Sequence, residues 1–203
     1  MKELLALKQR YEHHVPDLMG VRRRYAVLCP FVEVEGKPHI LFEVRSAQLK
    51  QGGEVCFPGG RMEAGETAAE AAVRETGEEL GIPKEEIHLF GSADLHAAQD
   101  GMVLHPLLGE ITAAGLAAMN PSKAEVEETF TVPLEFFLTT KPEVYTNELT
   151  PTLPEDFPYE AVGVSRFYSW RGGRVKVPVW YYGGHVIWGL TARVLCDVLK
   201  IEI

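Results

Sequence analysis

Glu75, Glu78 and Glu79 stand at i, i+3 and i+4 in a run reading AAEAAVRETGEELGI, a spacing that stacks three carboxylates on one face of a helix. Unrelieved, like charges so placed destabilise a helix by roughly 0.2–0.5 kcal/mol per pair, so something should offset the repulsion. A hard divalent cation, Mg²⁺ or Mn²⁺, does this. It takes carboxylate oxygens and keeps positions for water and a substrate phosphate, which makes the ridge a candidate for phosphate chemistry. Taken alone, a Glu-rich turn reads more readily as a solvated helix surface, and its flanks decide the matter.

Those flanks define a helix with two ends. Thr67 with Glu70 three residues on is a capping-box pattern, and Gly81 followed by Pro83 stops the helix. At about 100° per residue, Ala69, Val73, Thr76 and Leu80 share a face expected to pack, with the glutamates centred roughly 130° away toward a cleft. Upstream, Phe57-Pro58-Gly59-Gly60 permits backbone angles and close approaches that a Cβ would forbid, room for a pyrophosphate. The runs Tyr25 to Val34 and Ile40 to Val44 read as strands around a hairpin at Glu35-Gly36-Lys37-Pro38, and Ile87 to Leu95 and Met102 to Ile111 as strands with a turn at Asp100-Gly101. The proline-rich residues 139–160 are expected to form an irregular excursion, Gly172-Gly173 a hairpin turn, and Thr191 to Leu199 a helix.

From Gly60 to Ile82 the chain resembles the Nudix box, G-x5-E-x7-R-E-U-x-E-E-x-G-U, with Gly60, Glu66, Arg74, Glu75, Glu78, Glu79, Gly81 and Ile82 in register and Thr76 at an aliphatic position. The resemblance implies an α/β fold, an α/β/α sandwich with a mixed sheet whose loop-helix-loop presents Glu75, Glu78 and Glu79 to the metal while Arg74 and Glu66 brace loop and helix. Members typically hydrolyse a nucleoside diphosphate linked to another group.

The residues from Leu41 to Gly60 resemble a motif of the coenzyme A pyrophosphatase branch, LLTxR[SA]x3Rx3Gx3FPGG. Phe42 replaces a leucine, Glu43 the threonine and Lys50 the second arginine, and the gap from Lys50 to Gly53 is one residue short. Lysine keeps the charge but loses the planar fork that grips phosphate. The segments Asn120 to Glu128 with Val132-Pro133-Leu134, and Ile187 to Ala192, are similar to later parts of that branch. This resemblance implies cleavage of coenzyme A or its thioesters to adenosine 3′,5′-bisphosphate and a 4′-phosphopantetheine compound, with Arg45, Lys50, Gly59 and Gly60 as candidate substrate-binding residues. Glu125, Glu127 and Glu128 are candidates for the general base, and each also reads as a solvated loop acid. Hydrolysis of ADP-ribose or another nucleoside diphosphate derivative is the alternative. A non-catalytic nucleotide-binding module would be expected to have a damaged metal helix, and here the carboxylates are intact.

Bulk properties add constraints. The 203 residues, 46% of them hydrophobic, suit a single domain over 1–203 with residues 1–20 as a helical extension. A net charge of −9 would repel a nucleic-acid backbone, so a small nucleotide is the expected substrate, and Arg22-Arg23-Arg24 is a minor candidate for phosphate. Three separated cysteines, Cys29, Cys56 and Cys196, read as core thiols of a reducing cytoplasm, and no stretch is apolar enough for a signal peptide or a membrane span. Spare apolar surface on the N-terminal helix suits a homodimer or packing on the chain's own sheet.

Overall fold

A computed structural model describes residues 1–203. In chain order the elements are α1 (Lys2–Tyr11), β1 (Arg23–Val34), β2 (Lys37–Arg45), β3 (Val55–Cys56), β4 (Gly59–Arg61), α2 (Ala68–Leu80), β5 (Ile87–Ser92), β6 (His96–Ala97) and β7 (Met102–Ile111). They continue with α3 (Ala113–Ala118), β8 (Val126–Pro133), α4 (Leu134–Thr139), β9 (Glu143–Leu149), β10 (Gly173–Tyr182), β11 (His185–Trp188) and α5 (Gly189–Val198).

The large sheet runs β3-β2-β1-β7-β5, with β4 on β1, β6 on β7 and β8 on β2. It is mixed, because β1 and β7 are parallel from Arg23↔Met102 to Phe31↔Glu110 while the other pairs are antiparallel. The central run of β1, Tyr-Ala-Val-Leu-Cys, is apolar without alternation because both of its faces are covered. On one face Ala26, Leu28 and Leu41 pack with Ala71, Ala72 and Leu80 of α2; on the other Cys29, Ile40 and Phe42 pack with Phe137 of α4, Trp180 of β10 and Leu195 of α5. The result is the α/β/α sandwich with a mixed sheet expected from sequence, with one outer layer carrying a small sheet, β11-β10-β9, beside its helices.

Local sequence signals account for most turns. Glu35 (φ 52°) and Gly36 (φ 75°) make the two-residue turn joining β1 to β2, and Gly101 (φ 82°) turns the chain between β6 and β7. Two expectations are corrected. Within 139–160, residues Glu143–Leu149 form β9, paired with β10 from Glu143↔Val179 to Leu149↔Gly173. The hairpin turn lies at Gly183-Gly184 (φ 57° and 87°), where two successive positive φ values match the twist of β10 and β11; Gly173 instead begins β10. Gly172 is required for another reason: a Cβ there would lie 2.5 Å from the Leu149 carbonyl oxygen. In α1 every residue is exposed, including Leu4, Leu5, Leu7 and Tyr11. No helix is long and apolar enough to cross a membrane.

Candidate active site

Helix α2 is positioned by its ends. Thr67 accepts a hydrogen bond from the Glu70 backbone N–H (3.2 Å) and the Glu70 carboxylate accepts one from the Thr67 N–H (2.9 Å), completing the capping box. At the other end Gly81 adopts φ 65°, and a Cβ on it would lie 2.3 Å from the Asn120 carbonyl oxygen. The buried face, however, is Ala71, Ala72, Thr76, Glu79 and Leu80; Ala69 is exposed and Val73 only half-buried. The helix is therefore rotated from the expected register. Small residues at 71 and 72 let it lie close on β1, and this turns Glu79 inward toward the sheet instead of onto a common outward ridge with Glu78.

The three glutamates consequently have different surroundings. Glu79, 7% exposed, accepts a hydrogen bond from the Gly59 N–H (2.7 Å). Glu75 lies over Gly60, where an added Cβ would be 2.3 Å from the Glu75 carboxyl carbon. Glu78 has a largely exposed side chain. Arg74 gathers what Glu79 does not: its guanidinium donates twice to Glu66 (2.8 and 2.9 Å), to Glu75 (2.9 Å), to Glu78 (3.3 Å) and to the Arg61 carbonyl (3.2 Å). This fork holds the Glu66 carboxyl down to about 2 and ties the loop before α2 to the helix. So arranged, no three His, Cys, Asp or Glu side chains converge closely enough to enclose a metal ion, because Glu75 and Glu78 turn toward Arg74.

The surroundings of Glu79 nonetheless suit a cation. Burial pushes its carboxyl up to about 8, the charges of Glu43, Glu75 and Glu125 add to the rise, and the Gly59 N–H opposes it. Glu43, on β2, is buried, and its Oε2 has no hydrogen-bond partner. The charges of Glu43, Glu75 and Glu125 all act on Glu79, and with the unpaired Glu43 oxygen they supply the hard oxygen donors that a divalent ion would draw together.

Beside this acidic group lies a cavity of about 250 Å³, lined by Gly59, Gly60, Arg45, Cys56, Tyr25 and Leu190 among others. Thr191 donates to the Val55 carbonyl (3.1 Å), fixing α5 against β3 at its rim. A separate cleft of about 530 Å³ on another side of α5 is lined by His96, Arg193, Asp197 and Lys200 and contains none of the box carboxylates.

Of the expected substrate-binding residues, Arg45, Gly59 and Gly60 line the cavity; Lys50 sits exposed in the connection between β2 and β3 and does not. Of the candidate bases, Glu125 acts electrostatically on both Glu43 and Glu79. Glu128 instead accepts a hydrogen bond from His185, which stacks on Phe130 with ring centroids 3.8 Å apart, and Phe130 packs on the cluster opposite α2. Glu127 is exposed. In the arginine run, Arg23 pairs with Asp100 and Arg24 with Asp17. Glu43 and Cys56 were missed as site residues, although a lone acid within Ile-Leu-Phe-Glu-Val was a usable signal.

Gly60→Ala provides a test of this packing. Displacing Glu75 without touching the core is expected to lower turnover about 10- to 100-fold with an unchanged circular dichroism spectrum; turnover within twofold of the parent would show that Glu75 need not lie there.

The sequence pattern of the NUDIX domain matches residues 22–156. The human mitochondrial coenzyme A diphosphatase NUDT8 is 33% identical over 182 residues, covering 87% of this chain and 68% of that protein. The mouse peroxisomal coenzyme A diphosphatase NUDT7 is 33% identical over 136 residues, covering 66% of this chain and 56% of that protein. In fold, a MutT/nudix family protein from Enterococcus faecalis superposes with a TM-score of 0.52 at 12% identity, covering 97% of this chain and 68% of that one.

Proposed function

Because this chain belongs to the Nudix family of hydrolases, we propose that it cleaves the diphosphate bond of coenzyme A or its thioesters, releasing adenosine 3′,5′-bisphosphate and a 4′-phosphopantetheine compound. One observation carries the reading. The run that resembles the coenzyme A pyrophosphatase motif ends in Gly59 and Gly60, which border the cavity and at the same time touch Glu79 and Glu75. Two relatives named as coenzyme A diphosphatases support the same substrate class. We treat residues 1–203 as one Nudix unit, since a single apolar cluster draws on both sheets.

In this mechanism Glu75, Glu78 and Glu79 would hold the divalent ion, Mg²⁺ or Mn²⁺. When bound, the ion neutralises phosphate charge and lowers the pKa of coordinated water. The chain itself supplies position. The Gly59-Gly60 loop lets the diphosphate come close, with no Cβ in the way, and Arg45 offers an anion partner at the cavity wall. Tyr25, Val27, Met102 and Leu104 keep one side apolar. Glu125 is assigned as the base that takes a proton from the attacking water. A new bond forms between the water oxygen and one phosphorus, the bridging P–O bond breaks, and two phosphate monoesters leave. Arg74, paired with Glu66, holds α2 and the preceding loop in register.

The test is a substrate panel: coenzyme A, ADP-ribose, NADH and diadenosine polyphosphates, each with the purified protein and Mg²⁺. Coenzyme A is expected to have the highest kcat/KM, by at least tenfold. A higher kcat/KM for ADP-ribose would overturn the branch assignment while leaving the Nudix chemistry standing.

A further inference from the structure

The mechanism above leaves one deeply buried acid without a task. Glu43 lies in the interior of β2, 1% exposed, with apolar Phe42 on one side and Val44 on the other. Strand alternation sends Phe42 into the cluster against α4 and α5, and puts Leu41 and Glu43 on the face covered by α2, where Glu79 arrives. The Cys56 thiol, on neighbouring β3, donates to Glu43 Oε1 (3.2 Å). Its other oxygen, Oε2, is buried without a partner. A buried polar atom left unsatisfied costs about 1–3 kcal/mol, more if it is charged, and a threonine or valine would fit a strand interior without that penalty. The motif that this segment resembles has threonine at this position, so the acid is a departure of this chain.

Oε2 finds no donor among its neighbours. Its surroundings are instead acidic: the charge of Glu125, from the segment before β8, acts on Glu43, and that of Glu43 acts on Glu79 of α2, while Arg45 opposes the rise at Glu43. Once ionised, these carboxylates accept only and offer one another no donor, whereas a cation satisfies them together. We propose that Glu43 is a further ligand of the divalent ion, facing Glu79 from the sheet side of the site, with the Cys56 thiol as its positioning group. The inference rests on the metal reading of Glu75, Glu78 and Glu79 given above, and adds to it a ligand from outside the box.

Mn²⁺ binding to the full-length protein, read by electron paramagnetic resonance of the free ion and by calorimetry without substrate, tests it. The variants are Glu43→Gln, Glu43→Thr and Glu79→Gln. Both Glu43 variants are expected to bind Mn²⁺ at least tenfold more weakly than the parent while melting, metal-free, at or above the parental temperature, because the unpaired buried acid is gone. Threonine, the residue of the motif, keeps the test available if glutamine does not fold. If both Glu43 variants bind Mn²⁺ within twofold of the parent and Glu79→Gln does not, Glu43 is no ligand and the box site stands. If Glu79→Gln also binds like the parent, the metal reading itself fails.

Discussion

Glu79→Gln is expected to lower kcat about 10³-fold, a loss of about 4 kcal/mol at the transition state, with the fold intact. Glutamine keeps the shape and an oxygen to accept the Gly59 N–H now bonded at 2.7 Å, so the loop-to-helix contact survives the change. What disappears is the anion. Of the three box carboxylates, Glu79 is the one that is buried, anchored by a backbone donor and surrounded by other acids, so its charge has the fewest water molecules to replace it. Glu78, largely exposed and joined to Arg74, should matter less, and Glu78→Gln is expected to lose roughly tenfold or less. The order of the two effects is the sharper test, since a ridge of equivalent ligands would give equal losses. Steady-state kinetics for both variants, with circular dichroism as the folding control, measure it. More than a tenth of parental kcat in Glu79→Gln would contradict the site as described.

That ordering was not legible in the sequence. Spacing identified the helix, its cap at Thr67, its stop at Gly81 and the hairpin at Glu35-Gly36, because each depends on residues within one or two turns of each other. The rotation of α2 about its own axis depends instead on how closely Ala71 and Ala72 can approach β1, a contact between segments far apart in the chain. The same distance in sequence hid Glu43, whose meaning comes from facing α2, and separated Glu125, whose charge acts on Glu79, from Glu128, which is held by His185. Strand β9 escaped for a related reason. Residues Glu143–Leu149 are almost wholly exposed and owe their conformation to β10, on the far side of a proline-rich connection, so nothing local marks them as a strand.

The metal-free protein is expected to lose stability as pH rises from 6.5 to 9. In the fold Glu43 is pushed up to about 7 and Glu79 to about 8, chiefly by burial, against 4.5 for a carboxyl in the unfolded chain. Between those values the folded state binds protons that the unfolded state does not, so the free energy of unfolding falls with rising pH until both folded groups are ionised. At Glu79 the charges of Glu43, Glu75 and Glu125 add to the rise and the Gly59 N–H tempers it; at Glu43 the Cys56 thiol and Arg45 temper it. The opposing titrations fall elsewhere. His96 and His105 are held below 6.5 by burial, so their contribution grows only up to that pH, and Glu66, held near 2 by Arg74, acts only in acid. One carboxyl crossing this window amounts to about 2 kcal/mol, or roughly 4–8 °C for a chain of this size. Differential scanning calorimetry in chelator should therefore give a falling melting temperature, and Glu79→Gln should flatten most of it. Saturating Mg²⁺ should abolish or reverse the slope, since the ion binds the ionised carboxylates and gains affinity as they lose their protons. A metal-free melting temperature constant from pH 6.5 to 9 would mean that these acids are solvated in the folded chain, and the argument for a cation among them would lose its physical basis.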